Sequence, residues 1–233
     1  MILLIDTAQE SGMVALANDG RVVLSEENKI AKEHAGWLHP AIGRILAGAK
    51  ITVRELSAIS VVAGPGSYTG LRVGMAAAKG FCYALKIPLI TANSLVLMAE
   101  AMKEEALAHK ALICPLIDAR RDEVFTALYQ LQPVIRHPAS VIDESGIAEI
   151  MAPQAMILDK NVFDSYLSGN KIIFSGTGTD KLEKMINSSQ AIFKSQNSII
   201  QSFATSSQLD FEDGKWADPV FSAPVYLKEF FSY

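Results

Sequence analysis

The residues best placed to do chemistry are Ala63-Gly64-Pro65-Gly66-Ser67-Tyr68-Thr69-Gly70-Leu71-Arg72-Val73-Gly74, a glycine-rich turn between an apolar run from Ala58 to Ala63 and a long helical segment ending near Leu85. Glycine allows a tight turn, and the first helical N–H groups after Ser67 point out of it with partial positive charge, an arrangement suited to anions. The spacing fits neither G-x-x-x-x-G-K-[ST] nor G-x-G-x-x-G, and a plain strand-to-helix turn also needs glycine. Gly176-Thr177-Gly178 repeats the theme before another helical segment. Metal chemistry has less to work with. His34 and His39 lie five apart and project to different sides of a helix, as surface or capping histidines would, while His109 and His137 stand alone. Cys82 and Cys114 sit in apolar surroundings and read as reduced core residues. There is no H-E-x-x-H, and Gly64-Pro65-Gly66-Ser67-Tyr68 lacks the closing glycine of a serine nucleophile elbow.

The helix after the turn carries Gly70, Gly74, Ala77, Ala78 and Phe81 along one face. A glycine inside a soluble helix costs about 1 kcal/mol relative to alanine, so a close neighbour must compensate, and another helix is the expected one. Arg72 and Lys79 interrupt the segment, which is also too short for a bilayer, so the neighbour is protein, in this chain or another. The opening Met1 to Ile5 stops at Asp6 and reads as a buried strand rather than a signal peptide, which makes the chain cytoplasmic by expectation. Half of the 233 residues are hydrophobic, enough for a sizeable core, and the net charge of −4 provides no global attraction for nucleic acid.

These residues need a scaffold, and the patterning supplies one. Strands are expected at 2–5, 12–17 and 21–26, the last two joined at Asn18-Asp19-Gly20, followed by a helix from Glu33 to about Lys50. Thr52 and Glu55 have capping-box spacing, and strands at 58–63 and 88–92 alternate with the glycine-turn helix and one from Ser94 to about Glu105. The order βββ-α-β-α-β-α gives a mixed sheet with helices on both faces. The second half restarts it: strands at 112–117 and 123–130, an extended stretch at 133–141, a helix from Asp143 to Met151, a strand at 171–174 and a helix to about Asn187. Residues 187–208 read as surface helices and loops with an amphipathic hint at Ile199, Ile200 and Phe203. The expectation is an α/β protein of the actin-like ATPase (ribonuclease-H-like) fold with two related subdomains, the second shortened, divided as 1–105 and 106–233. In that superfamily the first strand end carries an acidic residue near a metal–phosphate; Asp6-Thr7 stands there, so Asp6, Thr7, Gly66 and Ser67 are the nucleotide-proximal candidates. An aspartate at a strand end is also a simple terminator, and both readings stand.

Ile5-Asp6-Thr7-Ala8, the glycine segment through Gly74, Ile117-Asp118-Ala119-Arg120 with Glu123-Val124, and Pro224-Val225-Tyr226-Leu227 together resemble the TsaB (YeaZ) family, long grouped with glycoproteases. The resemblance spans most of the chain and thins between Met151 and Gln208. It implies a non-catalytic subunit that pairs with TsaD, with the ATPase TsaE joining, in making N6-threonylcarbamoyladenosine at position 37 of tRNAs reading codons that begin with A. It implies pairing through the helices at Glu33 to Lys50 and Thr69 to Leu85, with Trp37, Leu38, Ala41, Ile45, Gly70, Val73, Gly74, Ala77 and Phe81 as contacts, and tRNA met only through the complex; without the partner, a small-residue apolar stripe is satisfied by a two-fold copy of itself, so a homodimer is expected in isolation. TsaD-type proteins bind metal through H-x-x-x-H, where this chain has Ser94 and Met98, and their second phosphate turn is replaced by Asp118-Ala119-Arg120. No cofactor is therefore expected on this chain alone, with ATP or ADP at a complex interface left open. An ATP-dependent kinase of the same superfamily is the alternative, supported by Asp6 and the glycine turn.

Overall fold

The computed structural model describes residues 1–28, 30, 33–134 and 143–228. Strand β1 (Ile2–Asp6) is buried along its whole length, as its unbroken apolar run requires. It pairs antiparallel with β2 (Met13–Asn18), which turns back into β3 (Arg21–Glu27) through Asp19 and Gly20, both in the left-handed region that such hairpins use. On its other side β1 pairs parallel with β4 (Ala58–Gly64), and β4 with β5 (Leu89–Asn93), giving the order β3-β2-β1-β4-β5. Helices α1 (His34–Gly48) and α2 (Tyr68–Leu85) cover one face, burying Leu38, Ile42, Ile45, Met75 and Ala78 with Leu3, Ile5, Val14 and Val61. The Thr52–Glu55 capping box forms at a single 3-10 turn.

The second sheet repeats this plan. Strand β6 (Ala111–Asp118) pairs antiparallel with β7 (Glu123–Val134) and parallel with β9 (Lys171–Ser175); β8 (Asp143–Ile157) flanks β7 and β10 (Ala191–Lys194) flanks β9. The order β10-β9-β6-β7-β8 is the first sheet's topology strand for strand. Its helices are stunted: α5 (Asp164–Leu167) and α6 (Thr179–Glu183) have 4 and 5 residues where α1 and α2 have 15 and 18. Helices α3 (Ser94–Glu100) and α4 (Lys103–His109) connect the two halves in sequence, and α7 (Ile200–Glu212) follows β10.

The duplicated ribonuclease-H-like plan is the fold class expected from the sequence. Four details differ. The single helix expected from Ser94 to about Glu105 is two, α3 and α4, separated by a turn at Ala101 and Met102. Residues Asp143 to Met151, expected helical, lie in β8, because the long β7 offers ladder partners from Glu123 to Val134, interrupted by three register shifts, that outweigh weak local helix preference. The helix expected to reach Asn187 ends at Glu183. The region expected to be surface helices and loops yields β10 and α7, whose Phe203 and Ala204 are buried with Ile2, Leu4, Ala15 and Ala17 on the other face of the first sheet. The extended stretch at 133–141 joins β7 through Val134, and 135–142 lie outside the described residues. The chain forms two compact units, Met1–Leu97 with Ile199–Tyr226, and Met98–Ser198 with Leu227–Tyr233, so the 199–226 stretch belongs with the first sheet rather than with the second half of the sequence.

Candidate functional site

At the carboxyl end of β1 the chain turns sharply. Asp6 Oδ1 accepts the Ala8 N–H at 2.8 Å, and with only 6% of the residue exposed, burial pushes its carboxyl up to about 6 in spite of that bond. Thr7 Oγ1 donates to the Gly70 carbonyl at 2.7 Å. The glycine turn folds down onto the same spot: the Ser67 N–H donates to the Ala8 carbonyl at 2.7 Å, and Ser67 Oγ accepts from Gly70 N–H at 3.3 Å as the cap of α2. The structure therefore brings Asp6, Thr7, Gly66 and Ser67 together, with these turn N–H groups bonded to the chain itself. A Cβ on Gly66 would come within 2.3 Å of the Ala8 carbonyl oxygen, so glycine is required here for backbone approach.

The same holds for the small-residue face of α2. A Cβ on Gly70 would sit 2.0 Å from the Thr7 carbonyl oxygen and one on Gly74 2.3 Å from Thr7 Oγ1. The nearest neighbour is the end of β1 in this chain, with His34 of α1 also close to Gly70, its Cδ2 3.2 Å from where a Cβ would stand. Gly70 and Gly74 are buried, as are Leu38, Ala41 and Ile45, which pack into the core beneath α1. These five expected partner contacts are thus internal, because an amphipathic helix points its most apolar face at its own sheet.

The other four expected contacts lie at or near the surface. Trp37 is half-buried, its Nε1–H donating to Glu26 Oε1 at 3.1 Å; Val73 and Phe81 are half-buried and Ala77 is at the edge of burial. Val73, Ala77 and Phe81 line a groove of 640 Å³ between α1 and α2, completed by Ala35 and His39 from α1 and by Ala76, Gly80 and Ala84 from α2. His39 and Phe81 meet across it with ring centroids 5.8 Å apart. Sequence reasoning missed the outward-facing glycines. A Cβ on Gly80, or on Gly36 or Gly43 of α1, would meet nothing within 4 Å. Each carries the helix penalty of glycine without any internal reason for it. The signal was available: Gly36 and Gly43, seven apart inside the periodic segment from Glu33 to Lys50, fall on one helical face. His34, read as a surface or capping residue, is instead buried with Nε2 3.0 Å from the Gln9 carbonyl oxygen.

In the second unit β6 ends at Asp118, whose Oδ1 accepts the Arg120 N–H at 2.6 Å, the counterpart of Asp6 and Ala8. Burial alone would raise the Asp118 carboxyl, but Lys181 Nζ at 2.6 Å, aided by the Arg120 N–H, outweighs it and holds the group below its ordinary value. The same ammonium donates to the Arg121 and Glu123 carbonyls, and Thr177 Oγ1 accepts the Asp118 N–H at 3.0 Å. Gly64 and Gly176, at the ends of β4 and β9, both adopt positive φ, 119° and 111°. Among the described residues no group of three or more His, Cys, Asp or Glu could hold a metal ion, and no helix is long and apolar enough to cross a membrane.

Two copies of one ribonuclease-H-like sheet, each with an aspartate turn at the end of its first strand facing a glycine turn after its fourth, define the actin-like fold class. The family described as TsaD: tRNA N6-adenosine threonylcarbamoyltransferase matches residues 23–226. The tRNA threonylcarbamoyladenosine biosynthesis protein TsaB of Bacillus subtilis (strain 168) is 36% identical over 79% of this chain and 74% of its own length; that of Escherichia coli (strain K12) is 29% identical over 97% and 94%. The solved structure of YeaZ from Pseudomonas aeruginosa aligns with a TM-score of 0.76 at 25% identity, covering 97% of this chain and 99% of that one. The chain belongs to the TsaB (YeaZ) family, within the wider group that TsaD defines.

Proposed function

We propose that this chain is a non-catalytic subunit that pairs with a TsaD-type transferase through the α1–α2 groove and so supports threonylcarbamoyl transfer to N6 of adenosine 37 in tRNAs reading codons that begin with A. The observation that carries the reading is the set of helix glycines with open space above them, Gly36, Gly43 and Gly80, beside a groove floored by Ala77 and Phe81. Small residues there let another protein's helix approach closely, which compensates a penalty that nothing inside the chain offsets. In isolation the same face suits a second copy related by a two-fold axis, and the partner would displace it. An ATPase of the TsaE type would join the pair in the cytoplasm, and tRNA would be met through the complex, in keeping with a net charge of −4.

Nucleotide is assigned to the complex rather than to this chain. Beside Asp6 the Ser67 and Gly70 N–H groups are bonded internally, and beside Asp118 the cationic position is held by Lys181. The kinase alternative rests on Asp6 and the glycine turn; micromolar binding of Mg–ATP to the isolated chain by calorimetry would restore it.

Light-scattering chromatography of the chain with its cognate TsaD tests the pairing. The wild type is expected to form a heterodimer, and Gly80→Glu, which has room to fold, to lose it with no loss of melting temperature. A wild type that forms no complex with or without nucleotide would sink the proposal.

A further inference from the structure

The first unit holds an exposed apolar strip that the groove does not use. Among the large apolar side chains left exposed in the described residues, Trp216, Val220, Phe221, Val225 and Tyr226 all fall within eleven consecutive positions, with Phe221 at 83% and Val220 at 75% exposure. Single exposed apolar residues are ordinary, whereas their concentration on one segment marks a contact surface.

The segment is a pinned strap. The Ala217 N–H donates to the Leu89 carbonyl at 2.8 Å and the Val225 N–H to the Ala63 carbonyl at 2.7 Å. Lys79 Nζ donates to the Val220 and Ser222 carbonyls at 3.3 and 2.9 Å, and Arg72 Nε to the Tyr226 hydroxyl at 3.1 Å. Asp218 Oδ1 accepts the Val220 N–H at 2.7 Å. Because the strap is held by its backbone, the Val220 and Phe221 side chains are left facing water.

The two side-chain pins from outside the strap, Arg72 and Lys79, both come from α2, and their position decides what the strap serves. At about 100° per residue, Arg72, Lys79 and Tyr83 fall on one line of the helix, Ala76 and Gly80 on the next, and Val73, Ala84 and Ala77 beyond them. Tyr83, 86% exposed, therefore lies on the strap side, and the near rim of the groove is a ridge made only of Ala76 and Gly80. A stable protein interface takes roughly 800 Å² and 20–30 residues from each partner. The groove is lined by eight residues, most of them alanine or glycine, and falls well short. A body seated in it and large enough to bind has to extend, and the ridge of small side chains opens the way to Tyr83, Val220 and Phe221, whose aromatic rings are the type that anchors interfaces.

We propose that the strap is a second contact surface for the TsaD-type partner that fills the groove, with Phe221 and Tyr83 as anchors and Lys79 as the pin that holds Phe221 in place. This rests on the groove reading above. The test measures affinity of the full chain for cognate TsaD by calorimetry, with melting curves alongside. Phe221→Ala and Tyr83→Ala, which remove no core contact, are each expected to weaken binding about tenfold or more at unchanged melting temperature. Lys79→Met is expected to weaken it severalfold although every apolar side chain of the strip is kept. Gly80→Glu abolishing binding while Phe221→Ala and Tyr83→Ala bind like wild type would overturn the strap and leave the groove standing. Gly80→Glu binding like wild type would overturn the groove and this inference with it. Loss of self-association alone in Phe221→Ala, with TsaD binding intact, would assign the strap to a second copy and overturn the partner named here.

Discussion

The ends of β1 and β6 start from the same chemistry and finish differently. Both place an aspartate that accepts the N–H two residues on, and both are roofed by the turn after the fourth strand of their sheet. At the third residue of the roofing helix the first unit has Gly70, which lets α2 settle against Thr7, and the second has Lys181, whose ammonium binds Asp118 and two carbonyls. One carboxyl is buried without a cation and pushed up to about 6; the other is held below its ordinary value by its own lysine. A duplicated fold can thus give two like aspartate turns different surroundings, by helix approach or by an internal cation. The first leaves an ionisation penalty behind and the second removes it.

The largest expected effect tests helix approach. Gly70→Ala puts a methyl group into the Thr7 backbone and should cost several kcal/mol, read as a collapsed melting temperature or insoluble protein. A mild effect would mean that α2 does not need to sit so close. Next comes the buried carboxyl. Its folded value of about 6 lies above the unfolded 3.8, so the proton stabilises the fold fully below 3.8, and that contribution fades as pH rises to 6. Asp6→Asn should be more stable than wild type at pH 7.5 by an amount on the order of 3 kcal/mol, with the gap closing by pH 4. Denaturant melts at both pH values check it, and a pH-independent gap would show that Asp6 is not the titrating group. Lys181→Met should cost about 1 kcal/mol at neutral pH, since the pair is partly exposed. Its sign with pH is opposite: the depressed Asp118 contributes stability above its unfolded value and loses it as pH falls through the folded one. The smallest effect is at the groove. Gly80→Ala should raise stability by about 0.5–1 kcal/mol through helix propensity while slightly weakening partner binding. An unchanged melting temperature would mean that Gly80 carries no helix penalty.

Much of this was legible in the residues. The buried run Ile2–Asp6, the Asp19-Gly20 hairpin and the paired Ile-Asp turns revealed three strands followed by alternating helices and strands in the first unit, and a repeat of that start in the second, because strand burial and turn chemistry are local. Strand β8 was not, since Asp143 to Met151 has no strong preference of its own and takes its conformation from β7. Nor was the direction of the small-residue face. Periodicity shows that Gly70 and Gly74 need a close neighbour but not that Thr7 is that neighbour, which depends on contacts more than sixty residues apart. The strap was invisible for the same reason, as its pins Arg72 and Lys79 lie 154 and 141 residues earlier than Tyr226 and Val220, which they hold.

Helix α7 makes the order of synthesis matter. Residues 1–97 leave the ribosome first, yet the sheet they form keeps the apolar face of Ile2, Leu4, Ala15 and Ala17 uncovered until Phe203 and Ala204 arrive. The second unit is complete, apart from its last few residues, once Ser198 is made. The sheet begun first is therefore covered only after the second sheet has been made, and during translation its bare face is exposed to aggregation.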